Sequence, residues 1–355
     1  MSETRKKPLL FEEFSNLEGS IPWIKLVPSA TPVKELRNIE EKLKINSLWM
    51  KCDDISSPLY GGNKSRKMEF IYAEALEQDK KRVLTAGAIG SNQCVANAIF
   101  CKKFRLTPMA VMIDQPVTKF VRHNLLIDLY YNTEFYYLKE AIPKSDDIYI
   151  MAPGCSTPFG NLGYIDAALE LKNQVENGEI PEPDYIFVPT ASSGTAAGLT
   201  IGVQLAGLKT HIHAIQTSFS SLSNLKAIQR LSKKTKKFME SYDISLPKLS
   251  FDHLKYTEEH YGGEYGLPTP ECVAAINLLR EQEKIILEPT YSGKTLAALL
   301  SFIRNNRSKV KDKTIVFWNT FNSHDFSDVI ESVNYRDLPQ ELHWVFEKPI
   351  PDYGL

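Results

Sequence analysis

Cysteine is scarce in this 355-residue chain: Cys52, Cys94, Cys101, Cys155 and Cys272 are all there are. Their number is odd, they are scattered, and neither a Cys-x-x-Cys pair nor a metal-type Cys/His spacing occurs. That excludes a disulfide scaffold, gives no reason to expect a metal, and suits free thiols in a reducing compartment. No sign of charge dominates, with 42 Lys+Arg against 43 Asp+Glu. A net charge of −1 gives no general attraction to nucleic acid or to an anionic membrane. Long apolar runs are missing, so no segment is expected to span a bilayer. The first residues are basic but meet Glu12 and Glu13 before any apolar run, unlike a signal peptide. The Gly-x-x-x-x-Gly-Lys of a nucleotide loop and the Gly-x-Gly-x-x-Gly of a dinucleotide site are both absent. The expectation is a soluble, cytoplasmic protein.

What is present is ordinary globular material, 43% hydrophobic, 10% aromatic and 24% charged. Disorder and collagen are excluded, and the length suggests about two domains or one large α/β unit. Apolar runs of strand length recur, each followed by a Gly/Ser-rich corner and a helix-like segment. Val83-Leu84-Thr85 leads through Ala86–Gln93 to a helical stretch over 95–104, and Met109–Ile113 follows as a strand. Tyr185–Pro189 leads through Thr190–Gly198 to a helix ending at Leu205. His211–Gln216 and Ile315–Trp318 are two more strands. This rhythm predicts a parallel sheet covered on both faces, with ligands beyond the carboxyl ends of its strands. His211 and His213 share a strand face and are expected to pack. The basic stretch over 226–237 reads as the solvated face of a helix. The tail from Asp337 to Leu355 is expected to lie along the surface.

Five segments could carry chemistry. Gly61-Gly62 lets backbone approach a ligand closely, and Asn63 could cap a helix that has Lys64 at its start. A lysine there runs against the helix dipole, which lowers its pKa and frees the amine for imine chemistry. The alternative is one more surface cation beside Arg66 and Lys67. Ser91-Asn92-Gln93, at a strand-to-helix corner, suits an α-carboxylate or is simply a helix cap. Ser192-Ser193-Gly194-Thr195 opens a helix and suits one monophosphate, or is a tight turn. Tyr265 and Tyr291 each stand in a Gly-flanked loop beside a helix. Each is a proton donor or a packed tyrosine with its hydroxyl bonded. Thr269-Pro270 opens a helix with a capping residue and proline at the first helical position.

Taken together and in order, Gly-Gly-Asn-Lys-x-Arg-Lys, Ser-Asn-Gln, Ser-x-Gly-Thr-x-Ala-Gly, Glu-Tyr-Gly-x-Pro-Thr and Tyr-x-Gly-Lys resemble one family. It is the D-cysteine desulfhydrase and 1-aminocyclopropane-1-carboxylate deaminase family of pyridoxal-phosphate enzymes, and the resemblance spans roughly residues 20 to 325. It implies the tryptophan-synthase β-like fold, an α/β architecture of two domains with open twisted parallel sheets and helices on both faces. The large domain would comprise 1–66 and 176–355, with a small domain, 67–175, inserted and the cofactor in the cleft between them.

By the same resemblance, Lys64 would hold pyridoxal 5'-phosphate as an internal aldimine and shuttle the α-proton. The backbone of Ser192, Ser193, Gly194 and Thr195 would bind its phosphate, and Asn92 its ring hydroxyl. Ser91 and Gln93 would hold the substrate carboxylate, while Tyr265 and Tyr291 would flank the substrate. Cyclopropane deaminases carry a glutamate after the second tyrosine as a partner for the pyridine nitrogen. Ser292 stands there in this chain, and Thr320 near the last strand completes the desulfhydrase-like pattern. A neutral partner weakens the electron sink, which points to β-elimination from a small D- or L-amino acid, giving a 2-oxo acid and ammonia. A cyclopropane deaminase, a racemase, a sulfo-lyase and a non-catalytic binding module on the same fold are the alternatives. The family's His-Thr-Gly-Gly appears as Asn319-Thr320-Phe321-Asn322, so the loop beside the ring is expected to differ. Ser193 stands where many relatives have glycine. A homodimer is implied by the resemblance alone.

Overall fold

The computed structural model describes residues 5–137, 140 and 142–355. The first four residues of the basic N-terminal stretch lie outside the described residues. Among the described residues, ten strands form two sheets. They are β1 (Val33–Glu35), β2 (Leu48–Lys51), β3 (Arg82–Ala88), β4 (Thr107–Ile113) and β5 (Glu134–Tyr137), then β6 (Ile148–Ile150), β7 (Tyr185–Thr190), β8 (His211–Gln216), β9 (Leu254–Thr257) and β10 (Ile315–Trp318). The larger sheet has the order β1-β2-β10-β7-β8-β9 and the smaller one β5-β4-β3-β6. All pairings are parallel except β1 with β2, which is antiparallel and closes one edge.

The expected covering of both faces is visible residue by residue. Ile315 and Phe317 of β10 join one apolar cluster with the helices Pro270–Glu283 and Ser292–Val310. Val316 and Trp318 join another, with Pro158–Glu176 and Gly194–Leu205. Phe187 and its neighbours Ile186 and Val188 divide in the same way. Side chains alternate along a strand, so a strand apolar at every position must be buried on both sides. His213 stacks on Phe187 at 4.6 Å between ring centroids, a packing role as expected.

Two other expectations resolve simply. The basic stretch lies in the helix Leu225–Glu240, which buries Ala227, Ile228, Ser232, Thr235 and Met239 and exposes Lys226, Arg230, Lys233, Lys234 and Lys237. The tail does more than lie on the surface: Leu338, Leu342 and Val345 are buried against Val121 and Leu125 of the helix Lys119–Tyr130. Among the described residues, no helix is long and apolar enough to cross a membrane.

Candidate active site

The corners after β3 and β7 and the start of the helix Asn63–Glu77 converge on one cavity of about 370 Å³. Eleven residues singled out from the sequence line it: Lys64, Ser91, Asn92, Gln93, Ser192, Ser193, Gly194, Thr195, Tyr265, Tyr291 and Thr320. The neighbours that hold each of them follow from the fold.

Gly61-Gly62 does not make room for a ligand; it makes room for the chain itself. A Cβ on Gly61 would run into the Asp54 carbonyl, and one on Gly62 would lie 2.6 Å from the Thr320 carbonyl oxygen. Gly62 has φ +83° and occupies the cap position, so Asn63 is the first helical residue rather than the cap. The Asn63 side chain spans the site instead: its amide nitrogen donates to Thr195 Oγ1 at 3.1 Å, and its oxygen accepts from Lys64 Nζ at 2.9 Å. The Lys64 amine is held below the usual lysine range chiefly by burial.

Neither neighbour of Lys64 is a surface cation. Arg66 is buried and pairs with Asp53 at 2.7 Å and Glu170 at 2.8 Å. Lys67 is buried too, donating to the Gly154 carbonyl at 2.9 Å. Burial, then the nearby Lys64 charge, brings its amine down to about 7. Its ammonium sits at the mouth of the helix Gly194–Leu205, where a Cβ on Gly194 would lie 2.7 Å from Lys67 Nζ and collide with Ser156 Oγ. Ser156 Oγ accepts from the Gly194 N–H at 3.1 Å, so a hydroxyl already occupies the position an anionic oxygen would take. Ser193 has φ +68°, the left-handed region that costs a non-glycine residue about 1 kcal/mol, which is the physical reason glycine suits this position. Its hydroxyl donates to the Leu222 carbonyl at 2.8 Å.

In the second corner Ser91 caps the helix Asn92–Phe104, accepting from the Gln93 N–H. Asn92 Oδ1 accepts from Asn124 at 3.0 Å, so one end of that side chain is already held. The Gln93 side chain lines the cavity and is engaged with Thr85, the Ala152 carbonyl and the Gly154 N–H, so it braces the corner.

The hydroxyls of Tyr265 and Tyr291 are bonded to each other, and burial raises both pKa values. Tyr265 also stacks on Phe219 at 5.6 Å. Ser292 departs from expectation: it is fully buried, does not line the cavity, and donates to Glu288 Oε1 at 2.8 Å. Glu288 lines the cavity in its place and accepts the N–H groups of Thr290, Tyr291 and Ser292. Sequence reasoning missed Glu288 and Lys67. An acid just ahead of a helix start, where unpaired N–H groups and the helix dipole favour a carboxylate, was the available signal for the first. In the loop after β10, Asn322 accepts from the Gly61 N–H at 2.7 Å, and Phe321 packs edge-on against Phe120.

This donor set fits a phosphorylated, carbonyl-bearing cofactor. A glycine cradle that a Cβ would fill faces a buried lysine and a helix N-terminus. The buried Thr190 hydroxyl, which lines the cavity, has no hydrogen-bond partner among the described residues.

Comparison with known proteins agrees. A D-cysteine desulfhydrase of Serratia proteamaculans is 29% identical over 321 residues, covering 85% of this chain and 94% of that one. A putative 1-aminocyclopropane-1-carboxylate deaminase of Thermotoga maritima is 27% identical over 296 residues, covering 79% and 91%. The crystal structure of an ACC deaminase homologue superposes with a TM-score of 0.72 at 25% identity, covering 90% of this chain and 98% of that one. The family described as pyridoxal-phosphate dependent enzyme matches residues 24–320. The chain belongs to the pyridoxal-phosphate dependent enzymes, with relatives among the D-cysteine desulfhydrases and 1-aminocyclopropane-1-carboxylate deaminases.

Proposed function

We propose that the protein is a lyase that removes HX from a small amino acid bearing a β-leaving group X, and that water then releases the 2-oxo acid and ammonia. When bound, the cofactor supplies an electron sink that makes the α C–H acidic. The single observation that carries this reading is the meeting of Lys64, the Ser91 corner, the Tyr265–Tyr291 pair and the Gly194 cradle in one cavity.

In this reading Lys64 holds the cofactor and takes the α-proton, a task suited to an amine held below the usual lysine range. Lys67 and the Ser192–Thr195 backbone hold the phosphate. Ser91 and the backbone of its corner hold the substrate carboxylate, while Gln93 fixes that corner from behind. Asn92 meets the ring hydroxyl, and Thr320 borders the ring. The Tyr265–Tyr291 pair, with both protons retained at neutral pH, protonates the leaving group. We take 67–175 as the small domain whose closure brings Ser91 onto the substrate; the separate β3–β6 sheet supports that division. A cytoplasmic homodimer belongs to this reading by resemblance.

Exclusion of Ser292 from the cavity removes the argument that a neutral residue there disfavours ring opening. Cyclopropane deamination is therefore the second reading, favoured by the Glu288 carboxylate in the cavity wall. Absorbance of the purified protein with added pyridoxal phosphate, beside Lys64→Ala, tests the assignment. D-cysteine, L-cysteine and aminocyclopropane carboxylate are then added in turn. A visible band that Lys64→Ala alters, and that one of these shifts with release of 2-oxo acid, supports the reading and identifies the substrate. No band in the wild type overturns it.

A further inference from the structure

The helix Ser292–Val310 carries another buried lysine, Lys294, which has no carboxylate within ion-pair distance among the described residues. It sits in the first helical turn, where the dipole opposes a cation, so both burial and position count against it. Burial brings its amine down to about 8, with the Cys272 thiol and the Glu288 carboxylate opposing that shift. A methionine would fill the same space without this cost, so the ammonium needs a reason to be there.

Its partners supply one. Lys294 Nζ donates to the Tyr261 carbonyl at 2.5 Å, points toward the Glu264 carbonyl at 3.5 Å, and lies 5.1 Å from the centre of the Tyr261 ring. Those carbonyls flank the exposed stretch that ends in Tyr265. The stretch is rich in glycine at left-handed positions: Gly262, Gly263 and Gly266 have φ of +80°, +82° and +78°, the outer two packed closely against Thr269 and Gln115 while Gly263 has nothing near it. One helix end therefore grips one loop twice, Tyr291 at the Tyr265 hydroxyl and Lys294 at the backbone behind it.

We infer that Lys294 is a positioning residue, a clamp whose hydrogen bonds to the Tyr261 and Glu264 carbonyls hold Tyr265 in register with Tyr291 and the cavity. The inference rests on the reading of Tyr265 as a proton donor. Without the clamp the glycine-rich loop samples conformations in which Tyr265 is away from Tyr291, and proton transfer slows while cofactor and substrate still bind.

The test uses the holoenzyme with Lys294→Met, which keeps the stem and loses the donors, Lys294→Arg, which keeps charge and donors, and Tyr265→Phe. On whichever of D-cysteine, L-cysteine or aminocyclopropane carboxylate the wild type consumes, Lys294→Met is expected to lose about 100-fold in kcat, the scale of one proton donor. KM and the cofactor absorbance stay within about twofold, and Lys294→Arg recovers most of the rate. Combining Lys294→Met with Tyr265→Phe slows the enzyme no further than Tyr265→Phe alone. A kcat within about twofold of wild type, or losses that multiply in the double variant, overturns the clamp. If none of the three amino acids is consumed, the lyase reading fails, and the clamp is judged by amide hydrogen exchange. Faster exchange over 261–266 in Lys294→Met, with β7 unchanged, supports it; unaltered exchange there overturns it. Should Lys294→Met not fold, Lys294→Gln takes its place in the same measurements.

Discussion

Lys67 Nζ lies 2.7 Å from the point where a side chain on Gly194 would begin. A buried cation thus shares one small space with the N-terminus of a helix, and a dianion placed there would meet both. Lys67 has no carboxylate within ion-pair distance among the described residues; it donates to the Gly154 carbonyl and lies 5.9 Å from the centre of the Tyr164 ring.

That arrangement predicts proton uptake on anion binding. With the amine brought down to about 7, Lys67 is mostly neutral at pH 8, and a phosphate dianion beside it restores the proton. Calorimetry with inorganic phosphate at pH 8, in two buffers of different ionisation heat, should show protons taken up by the wild type and none by Lys67→Met. Linkage gives a second readout. Between about 7 and the ordinary lysine value of 10.5 the unfolded chain binds the extra proton, so the phosphate-free protein gains stability as pH rises through that window. Bound phosphate should flatten this slope. Equal heats in the two buffers would remove Lys67 from the phosphate site.

Much of this architecture was legible because of one kind of signal. β7 and β10 are apolar at nearly every position and are followed by small polar corners, so both strand and ligand end could be read locally. β1, β2, β5, β6 and β9 are three or four residues long and mixed in character, and the antiparallel β1 edge follows from no local pattern. The site was legible to the level of which residues converge. Partners assigned across the chain were not: Arg66 and Lys67 look alike in sequence, yet one meets Asp53 and Glu170 and the other a carbonyl and a glycine cradle. Ser292 likewise reads as a ligand of the cavity until the residue behind it, Glu288, is in place.

Ser292 and Glu288 separate by mutation. Ser292→Ala removes a hydroxyl that touches only Glu288, so it should leave the cofactor spectrum unaltered and cost about 1 kcal/mol of stability in urea unfolding. Glu288→Gln changes a charge in the cavity wall and should shift the cofactor absorbance and lower turnover. A spectral change in Ser292→Ala equal to that in Glu288→Gln would return Ser292 to the cofactor site.

Asp53 anchors the helix that carries Lys64. Its carboxylate accepts from Arg66, from Tyr164 at 2.8 Å, from Trp318 Nε1 at 2.7 Å and from Thr31 at 2.9 Å, all buried. Asp53→Ala leaves the Arg66 charge paired with Glu170 alone and strands two aromatic donors. A loss of about 3–5 kcal/mol in urea unfolding is expected. Loss of cofactor should follow only as the protein unfolds. A change under about 1 kcal/mol would mean the network contributes little to holding that helix.

Phe321 stands where the resemblance implies a glycine, and its ring meets Phe120 edge-on at 5.9 Å and 80°. Phe120 belongs to the helix after β4, packed on the smaller sheet, whereas Phe321 follows β10 of the larger one, so the pair bridges the two. An edge-to-face aromatic pair contributes about 1 kcal/mol beyond its burial. If that energy favours the arrangement that places Ser91 over the substrate, Phe321→Gly should raise KM about fivefold, the equivalent of about 1 kcal/mol, while kcat and cofactor affinity stay near wild type. Phe120→Ala should do the same, and the double variant should be no worse than either single one. Unchanged KM in both, with only stability lost, would make the pair a packing contact with no part in substrate capture.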